Sequence, residues 1–121
     1  MVDCLKSHTK DEVVSSFQIR ETNYFFDDLV FLESGLIENM AQTVALHTGY
    51  DYFLRGEDAP TGYIGAIKNV DIIRLPSLHE TILTKAVILQ EFLGVTLVEI
   101  EIVDQSNRKL ASCQMKTVIT N

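Results

Sequence analysis

One carboxylate stands out where the chain is otherwise apolar. Glu38 lies in the run Gly35-Leu36-Ile37-Glu38-Asn39-Met40-Ala41-Gln42. A carboxyl group set among Leu36, Ile37 and Ala41 is a candidate for acid–base work. Apolar surroundings favour its neutral form, whereas a place in the first turn of a helix favours the carboxylate. The alternative is the boundary carboxylate of an ordinary helix. Gln42, one turn on, is placed to orient Glu38 by a hydrogen bond; a satisfied buried amide explains it equally well. His47 falls nine positions beyond Glu38, on the other side of a helix, and reads as a structural or interface group. His8 and His79 fall in expected turns and read as solvated. Asp27-Asp28 reads as an acidic turn, with a substitute base as the alternative. Lys68 and Arg74 share strand parity, so one face presents both to solvent or to an anionic partner. Cys4 and Cys113 lack metal-ligand spacing and read as reduced thiols.

The elements that must position these groups follow from periodicity. Val13–Arg20 alternates Val13, Ser15, Phe17 and Ile19 with Val14, Ser16, Gln18 and Arg20, which predicts a strand. Gly35–Thr48 repeats Ile37, Met40, Ala41, Val44 and Thr48 at helical steps, with Ser34 as the expected N-cap and Gly49 as the expected stop. Leu36, Ala45 and Leu46 carry the apolar surface round most of that helix, leaving Glu38, Asn39, Gln42 and His47 as polar points. A helix of this kind is expected inside a core. Asp51–Thr61 reads as a loop. Tyr63–Arg74, Glu80–Glu91, Val95–Asp104 and Lys109–Thr120 then read as strands, separated by turn residues at Pro76-Ser77, Gly94 and 104–107. Those connections are too short for parallel crossovers. The expected fold is therefore α+β: an antiparallel sheet of about five or six strands curled round one long buried helix, the hot dog arrangement.

Composition narrows the class. With 121 residues, 46% hydrophobic and 22% charged, the chain is long enough for one domain, spanning 1–121, and too apolar to be disordered. It contains no run of roughly 18 apolar residues and no secretory layout at its start, so a cytoplasmic protein with no membrane partner is expected. The net charge of −7 is confined to residues 1–60, which hold eleven acids and four bases; residues 61–121 hold six of each. No basic stripe is present, so nucleic acid is not an expected partner.

The stretch from Phe25-Phe26 through Gly35–Gln42 resembles the signature region of the FabA/FabZ-like 3-hydroxyacyl-[acyl-carrier-protein] dehydratases, in which a Phe-Phe pair precedes a catalytic loop and a helix carrying Glu-Ala-Met-Ala-Gln. Residues 65–76, Gly-Ala-Ile-Lys-Asn-Val-Asp-Ile-Ile-Arg-Leu-Pro, are similar to the family's next strand. Two departures mark the chain as divergent, similar to the second dehydratase of aryl polyene or flexirubin pigment systems. The family's loop carries Gly-His-Phe-Pro-Gly, whereas residues 27–34 are shorter and contain no His, the His slot falling on Leu29. Met1-Val2-Asp3 resembles the segment that follows the family's leading Leu-Pro-His-Arg-x-Pro, implying a truncated start or a subgroup without it.

The resemblance implies a lyase that removes water from 3-hydroxyacyl thioesters. Such a reaction needs a base for the C2 proton, an acid for the departing hydroxyl and donors for the thioester oxygen. Glu38 maps onto the family's acid/base Glu. Gln42, Gly65, Ala66, Leu29 and Phe31 map onto substrate-binding positions, and Lys68 and Arg74 onto carrier docking. No metal or cofactor is implied beyond the phosphopantetheine arm of acyl carrier protein or CoA that bears the substrate. The implied partners are that carrier and a second protomer, as a homodimer or as a heterodimer with a related dehydratase. The other readings are a non-catalytic partner of an active dehydratase, and an acyl thioesterase.

Overall fold

Alternating side chains build the sheet, and two four-residue repeats lay a helix across it. A computed structural model of the chain describes residues 1–23, 25–27 and 30–120, Thr120 by its backbone alone. Leu29 and Asp28, named above as loop candidates, lie outside the described residues, as does Tyr24.

Six strands form one antiparallel sheet. They are β1 (Cys4–His8), β2 (Glu12–Gln18), β5 (Thr61–Ile72), β6 (Thr81–Phe92), β7 (Val95–Val103) and β8 (Lys109–Thr120), in the order β1-β2-β6-β7-β8-β5. A separate two-stranded ribbon, β3 (Phe26–Asp27) with β4 (Val30–Phe31), precedes the single long helix α1 (Glu33–Leu54). Along β7, Thr96, Val98, Ile100 and Ile102 are buried while Glu99 and Glu101 face water. Along β2, Val13, Ser15 and Phe17 face inward, as their alternation predicts. The hot dog arrangement expected from the sequence is the one found. Among the described residues no helix is long and apolar enough to cross a membrane.

The helix differs from its expected form. It runs from Glu33 to Leu54, not from Gly35 to Thr48, so the first residues of the expected loop at Asp51 are helical. Its N-cap is Leu32, without a side-chain bond, and Ser34 lies inside the first turn. Gly49 does not stop the helix. The next turn is held by ring contacts of Tyr50 with His8 and Phe53, which offset the roughly 1 kcal/mol a helical glycine costs.

Two stripes of α1 face the core. Leu36, Met40 and Val44 form the apolar one; the Met40 sulfur receives the Cys113 thiol at 3.2 Å. Fully burying a side chain such as Leu36 or Met40 is worth about 1.5–3 kcal/mol. Asn39, Thr43 and His47 form the other stripe, equally buried and polar. Each member is satisfied. Asn39 Nδ2 donates to the Met1 carbonyl (2.8 Å), and its Oδ1 accepts from Thr84 Oγ1 (2.5 Å). Thr43 donates to the Asn39 carbonyl and thereby accepts from Ser15 Oγ, both at 2.8 Å. The expected core helix is therefore apolar on one buried stripe only.

The helix start is packed unusually close. A Cβ on Gly35 would lie 2.5 Å from the Phe31 ring and 2.8 Å from Phe25 Cβ, so only glycine lets these aromatics reach the first turn. At the other end of the fold, β6 and β7 join through Leu93-Gly94. Both residues have positive φ (51° and 79°), the mark of a type I′ hairpin turn.

Candidate functional site

Glu38 sits half-buried in the second turn of α1, because the helix begins two residues before the expected start. Gln42 Nε2 donates to Glu38 Oε1 at 2.9 Å, the i,i+4 contact expected from their spacing. This bond fixes one carboxylate oxygen.

The helix face that carries the pair is lined with small residues. Ala41, Gln42, Ala45 and Gly49 look across to Pro60 and to Gly62, Tyr63 and Ile64 of β5, enclosing a cavity of about 390 Å³. Gln42 lines it; Glu38, one helical turn before Gln42, is not among its lining residues. Tyr63 is the only ionisable side chain on these walls among the described residues, and the histidines lie elsewhere. His47 Nε2 donates to the Thr9 carbonyl (2.8 Å) on another side of α1, as a structural histidine. His8 is not solvated in a turn: it lies in β1, donates from Nε2 to the His47 carbonyl (3.1 Å) and stacks on the His47 ring with centroids 4.6 Å apart. His79 is exposed in the turn before β6, with φ of 69°.

The remaining candidates are scattered. Phe31 is fully buried, packed with Phe17 and Phe25 beneath the helix start. Gly65 is the extra residue of a bulge where β5 pairs with β8, and Ala66 follows it; neither lines the cavity. A second bulge falls between Lys68 and Asp71, at Asn69 with φ of 56°. An extra residue there reverses the strand's alternation, and Arg74 lies beyond the end of β5, so the shared parity of Lys68 and Arg74 does not hold. Lys68 is exposed and in no ion pair among the described residues. Arg74 grips Glu80 with two bonds (2.7 and 2.9 Å) and reaches Asp104 at 3.2 Å. The Arg74 guanidinium holds the Glu80 carboxyl below its usual range. Asp104 is lowered too, first by the Arg108 backbone N–H and also by those of Ser106, Arg108's charge and Arg74. Neither cysteine is in a disulfide; Cys4 is exposed, and burial lifts the Cys113 thiol to about 11. Among the described residues no cluster of three or more His, Cys, Asp or Glu is arranged to hold a metal.

A long helix wrapped by a six-stranded antiparallel sheet defines a hot dog protein. Solved structures share the architecture. The dehydratase heterocomplex ApeI:P from Xenorhabdus doucetiae matches with a TM-score of 0.89 at 15% identity, over 99% of this chain and 82% of that one. A hypothetical thioesterase protein with coenzyme A from Streptococcus pneumoniae TIGR4 gives 0.76 at 13% identity, over 97% and 84%. The PaaI protein of the E. coli phenylacetic acid degradation operon gives 0.74 at 15%, over 94% and 80%. No curated protein matches the sequence. The family is fixed by a model described as ApeP dehydratase, which matches residues 1–120: the chain belongs to the ApeP-like family. It is a divergent, FabZ-like dehydratase relative whose function is to act on or bind acyl thioesters.

Proposed function

We propose that the chain is one half of a dehydratase assembly that receives 3-hydroxyacyl thioesters on acyl carrier protein or CoA, with Glu38 as its acid/base group. The observation that carries this reading is a Glu38 carboxylate held by Gln42, whose side chain lines a small-residue cavity without a histidine on its described walls. Among the described residues Glu38 is the one carboxylate paired to this wall, and dehydration needs a second proton-transfer group. The second comes from a partner protomer. The edge strand β5 supports that assembly: it exposes Tyr63, Ile64, Ile67 and Val70 beside the cavity, and joining it to another sheet edge covers both the apolar side chains and the free backbone groups. A related dehydratase subunit that retains the loop histidine is the partner, the substrates are those of lipid or polyene biosynthesis, and the assembly works in the cytoplasm. Gln42 orients Glu38, Gly65 and Ala66 lie toward the thioester, and Phe31 bounds the acyl side. Lys68 and Arg74 face the carrier, with Lys68 the base not already matched by an acid.

The test is a dehydration assay on a 3-hydroxyacyl-carrier substrate, run with the chain alone and with a co-purified, histidine-bearing hot dog subunit. Turnover is expected from the pair, with Glu38→Gln in this chain abolishing it. Turnover indifferent to Glu38→Gln removes the acid/base role. A fully active homodimer removes the need for a partner, and steady acyl-CoA hydrolysis without dehydration reassigns the site to a thioesterase.

A further inference from the structure

The half of α1 beyond Val44 stands over a second and larger space. A cavity of about 620 Å³ lies between Val44, His47 and Thr48 of the helix and Ala86, Thr96 and Val98 of the sheet. Glu38 and Gln42 are not among its lining residues. Val44, Thr48, Thr117 and Ile119 line both cavities, so the two spaces adjoin at those four side chains. A volume of this size falls in the range of small-molecule sites, about 300–1,000 Å³.

Its walls specify what it accepts. Val44, Ala86, Ile88, Val98 and Ile119 supply apolar surface. Interspersed with them are the hydroxyls of Thr48, Thr96 and Thr117, none with a hydrogen-bond partner among the described residues. Thr96 is only 8% exposed and lines the cavity, where its hydroxyl can exchange water for a ligand's polar group. One end is fixed by the stacked His8 and His47 rings, whose Nε2 atoms are committed to backbone carbonyls. The formal charges at the rim cancel: Lys10 and Arg55 stand against Asp51 and Glu91, with Arg55 and Asp51 3.5 Å apart. A charged ligand would lose hydration without a net field to repay it. Leu54 adds an exposed apolar side chain to the lining, next to exposed Phe53.

We propose that this cavity is a binding site for an uncharged amphiphile, an apolar chain or ring bearing a hydroxyl or carbonyl group. The site is separate from Glu38 and stands whether or not the dehydratase reading holds. The test is a methyl NMR titration of the full chain with 1-octanol, octanoate and octylamine. Saturable shifts at Val44, Ala86 and Val98 are expected with 1-octanol, at least tenfold tighter than with either charged analogue. Thr96→Val, which keeps the volume and removes the hydroxyl, should weaken 1-octanol about fivefold, the loss of one hydrogen bond. Ala86→Leu should narrow the space and weaken binding; if that variant does not fold, Thr96→Val decides. Glu38→Gln should leave the titration unchanged. Absence of saturable shifts, equal binding of octanoate, an unaffected Thr96→Val or a loss with Glu38→Gln would each overturn the assignment.

Discussion

The bond between Asn39 and Thr84 ties the polar stripe of the helix to strand β6, and its worth follows from burial. Both side chains are fully buried, and the Thr84 hydroxyl donates to Asn39 Oδ1 at 2.5 Å. Thr84→Val keeps the shape and leaves Oδ1 with no donor in a site closed to water, which costs about 1–3 kcal/mol. Asn39→Leu leaves the Thr84 hydroxyl without its acceptor at a similar cost of about 1–3 kcal/mol, while the Met1 carbonyl, at a half-exposed residue, recovers with water. The double variant orphans neither partner, so its loss should fall short of the sum of the singles by about 1–2 kcal/mol. Urea unfolding followed by far-UV circular dichroism measures all four proteins, since the chain has no tryptophan to report by fluorescence. Protein concentration must be equal throughout if the fold is coupled to assembly. Strict additivity, or a neutral Thr84→Val, would refute the claim that the stripe is held by paired buried groups.

Three further outcomes are expected. Gly35→Ala should lower stability by about 1–3 kcal/mol in the same assay, because a methyl group meets Phe31 and Phe25 well inside contact distance. Leu93→Asn should raise the unfolding midpoint by about 0.5–1 kcal/mol equivalent, since asparagine accepts the positive φ of the hairpin turn that leucine adopts under strain. The Arg74 cluster sets an acid limb. Glu80 and Asp104 have folded values below their ordinary 4.5 and 3.8, so their contribution is present above those values and is lost as pH falls through the lower folded ones. Arg74→Met should therefore flatten the dependence of stability on pH below about 4.5, as read by acid titration of the unfolding midpoint.

The strands were legible because each half-buried strand alternates: Val98, Ile100 and Ile102 against Glu99 and Glu101 admits one orientation. The helix was legible in existence and not in extent. Gly49 carries no steric demand, with nothing within 4 Å of its missing Cβ, and the contacts that carry the helix past it come from His8 on a distant strand. Strand β1 escaped notice because its residues, Cys4 to His8, are exposed or half-buried and show no two-residue apolar beat. The buried polar stripe was hidden for a related reason. Asn39, Thr43 and His47 repeat every four residues, as a core face must, but their types speak for solvent until partners from β2, β6 and the β1–β2 turn are known. At the candidate site, the Glu38–Gln42 pair could be read from spacing. The cavity wall could not, because it is completed by β5, whose two bulges break the parity on which strand reasoning depends.

Those bulges bear on how this polypeptide selects company. The outer side of β5 offers a ladder of backbone donors and acceptors twelve residues long, interrupted at Gly65 and again near Asn69. A regular strand laid alongside would fall out of step twice, whereas one with matching irregularities would pair from end to end. If β5 joins another sheet edge as proposed, it works like the cut edge of a key: discrimination resides in main-chain spacing, and substitutions that alter only side chains along it leave that code intact. Synthesis carries a corresponding demand, since copies made in excess of their complement retain an adhesive border and are the ones at risk of aggregating.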